Sequence, residues 1–135
     1  FVELLIIMLG TNDTKDRFAS SAACIAIAMG RLVSKAKATD CWGGKQPNIL
    51  VVAPPPIGEG MLLSDVAETM GEGCVKKSRE LARYYKEQCD LLGCHFLDAG
   101  SIGCTFNEVD YMHLTRADHA VLAERLAELV PTLIK

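Results

Sequence analysis

The sequence lacks any excess of positive charge: 14 Lys and Arg stand against 17 Asp and Glu, for a net charge of −3 and a pI near 5.6. Nucleic-acid binding is thereby left without its electrostatic footprint. No apolar run is long enough to cross a bilayer. The opening Phe1, Val2 and Glu3 carry none of the basic residues that begin a signal peptide. None of the six cysteines (Cys24, Cys41, Cys74, Cys89, Cys94 and Cys104) stands in a C-x-x-C pair, so a structural zinc site has no support. Internal repeats and low-complexity tracts are absent as well.

What remains describes an ordinary folded domain. Hydrophobic residues make up 50% of the chain and charged ones 23%, which permits a real core and argues against disorder. A length of 135 residues fits one domain. A chain with such a core needs no disulfide staples, so the cysteines read as reduced thiols in a cytoplasm; the alternative is a secreted chain with some disulfides. Cys24 and Cys89 fall on apolar helix faces, where cysteine behaves as a small hydrophobe.

The run Leu4, Leu5, Ile6, Ile7, Met8 and Leu9 has no polar alternation and reads as a strand buried on both faces. Ile49–Ala53, stopped by three prolines, and residues 94–98 are two further strands. Between them, Phe18, Ala22, Ile25, Met29, Leu32, Val33 and Ala36 recur at helical spacing, with Ser20 or Ser21 as cap and an end near Ala38. Val75, Ser78, Leu81, Ala82, Tyr85, Cys89 and Leu92 mark a second helix, charged on its other face and stopped by Gly93. A last helix follows Thr115, with Leu122, Leu126, Leu129 and Val130 on one face. Residues 39–48 are a loop, and residues 57–70 lack periodicity; their apolar side chains are either a substrate wall or ordinary packing. This β-α-β-α-β-α order calls for a parallel sheet with helices on both faces. The first strand is expected at its centre, yet it has a neighbour on one side alone.

Two motifs sit where such sheets bind ligands, beyond the carboxyl ends of the strands. After the first strand, Gly10 frees the backbone to turn and Thr11, Asn12 and Asp13 follow. The Asn12 amide can donate to an oxyanion there, or these residues can simply make a turn and cap a helix. Before the last helix, Asp110 precedes His113 by three positions, within reach if the segment makes one helical turn. Asp110 would then fix one ring nitrogen and leave the other as a general base; alternatively, both pair with local backbone. His95 in a strand and His119 on a helix surface read as structural.

Taken together, GTND after a buried strand and D-x-x-H before the last helix resemble the SGNH (GDSL-type) hydrolases. The wider context, LLIIMLGTNDTKDRF…ILVVAPPPI…FLDAGS…DYMHLT, looks like their arylesterase and acyltransferase-like branch. That resemblance implies an α/β fold, the flavodoxin-like three-layer α/β/α sandwich, and an esterase that acts on small carboxylic esters through an acyl-serine. By it, Asn12 is the oxyanion-hole asparagine, Asp110 the triad acid and His113 the triad base. Thr11, Lys15, Ile57 and Met112 flank these positions and are expected to line the acyl or alcohol pocket. No cofactor, metal, nucleic-acid partner or membrane association is expected.

There is one large departure. The family's GDS(L) serine and oxyanion glycine precede GxND by two strand-helix units, whereas this sequence begins just before GxND. Ser20, Ser21, Ser34, Ser64, Ser78 and Ser101 stand in no Gly-Asp-Ser context and read as caps, turns or surface positions. Residues 1–135 are therefore expected to be the carboxyl-terminal part of a single such domain, with amino-terminal strands and nucleophile outside it. An amino-terminal segment or a second copy is expected to pair with the strand of residues 4–9. Two other readings are a catalytically silent flavodoxin-like scaffold and a thiol acyltransferase in which Cys104 replaces the serine.

Overall fold

The computed structural model describes residues 1–134. Three strands, β1 (Leu5–Ile7), β2 (Ile49–Ala53) and β3 (His95–Asp98), form a parallel sheet in the order β1-β2-β3. Leu5 pairs with Ile49 and Ile7 with Val51, while Val52 pairs with Leu97 across the other edge of β2. Every residue of β2 is buried, as its unbroken branched-apolar run demands of a strand covered on both faces.

Alternation along β2 divides the core. Ile49, Val51 and Ala53 face helices α1 (Ala22–Lys37) and α3 (Gly73–Leu92), with Ile25, Met29, Leu81 and Tyr85 packed onto them. Leu50 and Val52 face the opposite layer, where Leu122, Leu126 and Leu129 of α4 (Arg116–Leu133) close over Leu97. This is the three-layer α/β/α sandwich the motifs imply. The segment between β2 and α3 forms a 3-10 turn, Glu59–Leu63, and a single helical turn, α2 (Ala67–Met70), so its lack of periodicity reflects short irregular elements.

Helix α1 starts after Ser21, whose hydroxyl accepts from the Cys24 N–H at 3.2 Å, so Ser21 rather than Ser20 is the cap. Phe18 lies before that cap, in a separate 3-10 turn, and is exposed. Cys24 is exposed too, contrary to its expected place on an apolar helix face. The buried stripe of α1 is Ala22, Ile25, Ala26, Met29, Gly30 and Val33, and Cys24 falls beside it; Cys89, on the inner stripe of α3, is buried as expected. In the charged face of α3, Lys77 pairs with Asp16 at 2.7 Å and Arg79 with Glu59 at 2.9 Å.

The first strand is shorter and more exposed than its sequence suggests. Only residues 5–7 pair, and Ile6 and Leu9 are 40% and 56% exposed. The reason is topological: among the described residues β1 pairs with β2 alone, so one edge of this apolar strand faces outward. Leu4 and Met8 still pack toward the α4 layer.

Candidate active site

Asn12 is aimed by the turn that ends β1. Gly10 has φ +132°, and a Cβ there would lie 2.2 Å from the Tyr85 hydroxyl. Glycine is required by both the backbone angle and the close approach. Tyr85, buried on α3, donates its hydroxyl to the Leu9 carbonyl at 3.0 Å. Residues Thr11–Thr14 then form a 3-10 turn: the Asp13 N–H donates to the Gly10 carbonyl at 3.0 Å, and the buried Thr14 hydroxyl to the Thr11 carbonyl at 2.6 Å. Asn12 is left exposed at the carboxyl edge of the sheet.

His113 arrives at the same edge from the far end of the chain. The loop that carries it is built on hydrogen bonds rather than a ladder or helix. Asp110 Oδ1 accepts the backbone N–H groups of Met112 at 3.0 Å and His113 at 3.1 Å, and Asp110 Oδ2 lies 2.7 Å from His113 Nδ1. Burial alone would push the Asp110 carboxyl up. The His113 and Met112 N–H groups and the His113 ring outweigh it and hold that carboxyl well below the usual carboxylate range. Tyr111 sits between the pair with φ +59°, a costly position for a bulky side chain. Its carbonyl accepts from the Gly58 N–H at 2.9 Å, and its ring packs 6.0 Å from that of Phe106.

Asn12 and His113 line one cleft of about 250 Å³, with Met8, Leu9 and Gly10 on the Asn12 side and Met112 beside His113. The His113 side chain is 79% exposed while that of Asp110 is 23% exposed, so the acid lies behind the base and the imidazole opens toward the cleft. Chemically, this sets an oriented imidazole opposite an amide donor, an arrangement suited to acyl transfer.

Neither a scan of protein-family models nor a search of curated proteins finds a match. Solved structures do match. An aryl esterase from M. smegmatis superposes with a TM-score of 0.88 and 36% identity over 98% of this chain and 62% of its own. A carbohydrate acetylesterase from Sinorhizobium meliloti superposes at 0.86 with 35% identity, again over 98% and 62% of the two chains. A carbohydrate acetylesterase family member from the same organism gives 0.85 and 29% over the same shares, 98% and 62%. This is the fold of the SGNH hydrolases. The chain spans 62% of the length of these esterases.

Within the SGNH frame, the residues expected around the pocket divide. Thr11 and Met112 line the cleft. Lys15 and Ile57 do not. Lys15 is half-buried where the Thr11–Thr14 turn ends. Ile57 is 1% exposed and belongs to a packed cluster with Met61, Met70, Cys74 and Val75, its N–H donating to the Ser78 hydroxyl at 2.9 Å. Ile57 thus packs against Tyr111 and Met112 within that cluster and is absent from the lining of the cleft.

Cys104 is no stand-in for a serine at this cleft. It is buried, lines a separate hollow with Thr105 and Phe106, and donates its S–H to the Asp118 carbonyl at 3.6 Å. Burial, and then the Asp118 charge, pushes its thiol up, away from the thiolate a nucleophile needs. His95 and His119 are exposed on β3 and α4, away from the cleft. Among the described residues, no cluster of three or more His, Cys, Asp or Glu could hold a metal, and no helix is long and apolar enough to cross a membrane.

Asn107, Tyr85 and Asp118 complete the surroundings, and the motif reading passed over all three. Asn107 bonds to both ends of the Asp110–His113 loop. Asp118 joins Thr105 to the start of α4, accepting from the Thr105 N–H and the Thr115 N–H at 3.0 Å each.

Proposed function

We propose that this chain serves a serine esterase of the SGNH type, acting on small carboxylic esters through an acyl-serine intermediate. The observation that carries the reading is the 2.7 Å Asp110–His113 contact, opening on the cleft that Asn12 also lines. In this scheme Nε2 of His113 takes the proton of a serine hydroxyl as its oxygen attacks the ester carbonyl. Asn12 donates its amide N–H to the oxyanion that forms. One such donor is typically worth about 10²–10³ in kcat. The intermediate collapses to acyl-serine, and His113 returns the proton to the departing alcohol. Water, or a second alcohol, then repeats the sequence with the same base and releases the acid or a new ester.

The serine is proposed to lie outside these 135 residues. The outward edge of β1 is proposed to receive the strand that carries it, or else a second copy of the chain. Exposed Ile6 and Leu9 support this, as does the open groove of about 410 Å³ that they share with Leu32 and Ala36 of α1. Aryl esters and acetylated carbohydrates are the substrate classes favoured by the names of the similar esterases. The cytoplasm is kept as the compartment, on the reading of six reduced thiols.

The test is hydrolysis of p-nitrophenyl acetate by the protein expressed together with the residues encoded upstream of Phe1. The expected result is turnover that His113→Ala abolishes, serine labelling by a fluorophosphonate, and little activity from residues 1–135 alone. Undiminished turnover in His113→Ala would overturn the assignment. No turnover at all would favour a silent scaffold.

A further inference from the structure

The pairing of Asp110 with His113 depends on a loop that has no regular secondary structure to hold it. Beside the Asp110 carboxylate, one side chain, Asn107, takes part in four of its hydrogen bonds. Asn107 Oδ1 accepts the N–H of Val109 at 2.7 Å and the N–H of Asp110 at 2.9 Å. Its Nδ2 donates to the His113 carbonyl at 3.0 Å and to Asp110 Oδ1 at 3.1 Å. The Asn107 backbone N–H reaches the same His113 carbonyl at 2.8 Å. The backbone on the amino side of Asp110 and the backbone at His113 are thus both tied to this residue. Between them Tyr111 is held at φ +59°, a conformation that persists only where its surroundings over-determine it.

We propose that Asn107 is a positioning residue for the base. Its Oδ1, acting through the turn it closes over Val109 and Asp110, aims the Asp110 carboxylate at His113 Nδ1. That contact selects the Nδ1–H tautomer and leaves Nε2 as the proton acceptor facing the cleft. Asn107 touches neither the cleft nor any reacting atom; it works through Asp110. The proposal rests on His113 being the base, and its test reads the imidazole directly, without needing turnover.

The measurement is the ring ¹⁵N chemical shifts of His113 in the ¹⁵N-histidine-labelled chain, at an alkaline pH where imidazole is neutral. His95 and His119, both exposed, serve as internal references for unrestrained rings. His113 is expected to show a single Nδ1–H pattern. Asn107→Ala is expected to collapse it toward the averaged shifts of the reference histidines, with thermal unfolding little changed. Asn107→Ser keeps a short accepting oxygen for the turn without setting a second carboxylate against Asp110, and is expected to keep more of the pattern than alanine. In the whole esterase, the alanine variant should lower kcat while leaving KM near its starting value. A folded Asn107→Ala chain that retains the Nδ1–H pattern overturns the proposal, and so does a serine variant that averages like alanine. A parent chain whose His113 carries its proton on Nε2 overturns the base assignment itself, and this proposal with it.

Discussion

Asp110 uses its two oxygens for different purposes: Oδ2 lies 2.7 Å from His113 Nδ1, while Oδ1 takes the backbone N–H groups of Met112 and His113. The carboxylate therefore fixes the backbone that carries the imidazole as well as the ring itself. Asp110→Asn keeps the shape but can present its amide N–H to Nδ1, which favours the wrong tautomer. In the proposed esterase, kcat for an aryl acetate is expected to fall by about 10⁴, as for the equivalent change in a Ser-His-Asp triad. A loss below tenfold would mean that the acid has no part in orienting the base.

The same bonds link acidity to stability. The folded Asp110 carboxyl is held well below the ordinary value of about 3.9 that it regains on unfolding. Between those two values the unfolded chain binds more protons, so stability rises with pH across that window. The contribution is fully present above about pH 4 and is lost as the pH falls toward the folded value. Urea midpoints for the parent chain and Asp110→Asn should therefore differ at pH 6 and converge as the pH drops below 4. A gap that stays constant with pH would show that the carboxylate is not the source.

Which features were legible in the sequence follows from how local their causes are. β2 announces itself because five consecutive apolar residues leave no polar face, and all five are buried. Asp110 and His113 were legible because a three-residue spacing keeps them within local reach, although the irregular loop that makes them meet, with Tyr111 at φ +59°, was not. Ile57 was misjudged because an apolar residue in an aperiodic loop gives no sign of which way it points; the Ser78 hydrogen bond that turns it inward comes from another helix. Asn107 and Tyr85 passed unnoticed for a related reason. Asn107 looks like any turn residue, and the Tyr85 hydroxyl meets Leu9 only through the packing of α3 on the sheet. Cys24 is exposed because it falls off the stripe of Ala22, Ile25, Ala26 and Met29 that packs inward.

The edge of β1 supplies a prediction about assembly. A strand edge with free backbone groups and apolar side chains invites pairing, and charge is the common protection against it. Ile6 and Leu9 are exposed there. The chain of residues 1–135 alone is expected to associate as its concentration rises, and Ile6→Lys combined with Leu9→Lys to reduce that association. Sedimentation at several concentrations decides it. A parent chain that stays at 14.6 kDa throughout would remove the case for an edge that needs covering.

Gly10 and Tyr85 allow strain and steric clash to be separated at the turn that presents Asn12. Gly10→Ala must place a Cβ 2.2 Å from the Tyr85 hydroxyl and hold alanine at φ +132°. The backbone part alone should cost about 1–3 kcal/mol. Tyr85→Phe deletes one buried hydrogen bond, to the Leu9 carbonyl, and should cost about 1 kcal/mol. Burial, and then the Asp13 charge, pushes the Tyr85 phenol up, so the hydroxyl stays protonated and remains a donor throughout the neutral range. With the hydroxyl gone, the nearest atoms to the new Cβ are the ring carbon at 3.2 Å and Leu81 Cδ1 at 3.4 Å, distances that small shifts can accommodate. The double variant should therefore be less destabilised than the sum of the two single changes, and what remains is mostly backbone strain. Urea unfolding of the four proteins closes this cycle. Strictly additive losses would show that the hydroxyl does not crowd position 10, and the close approach could no longer explain why glycine stands there.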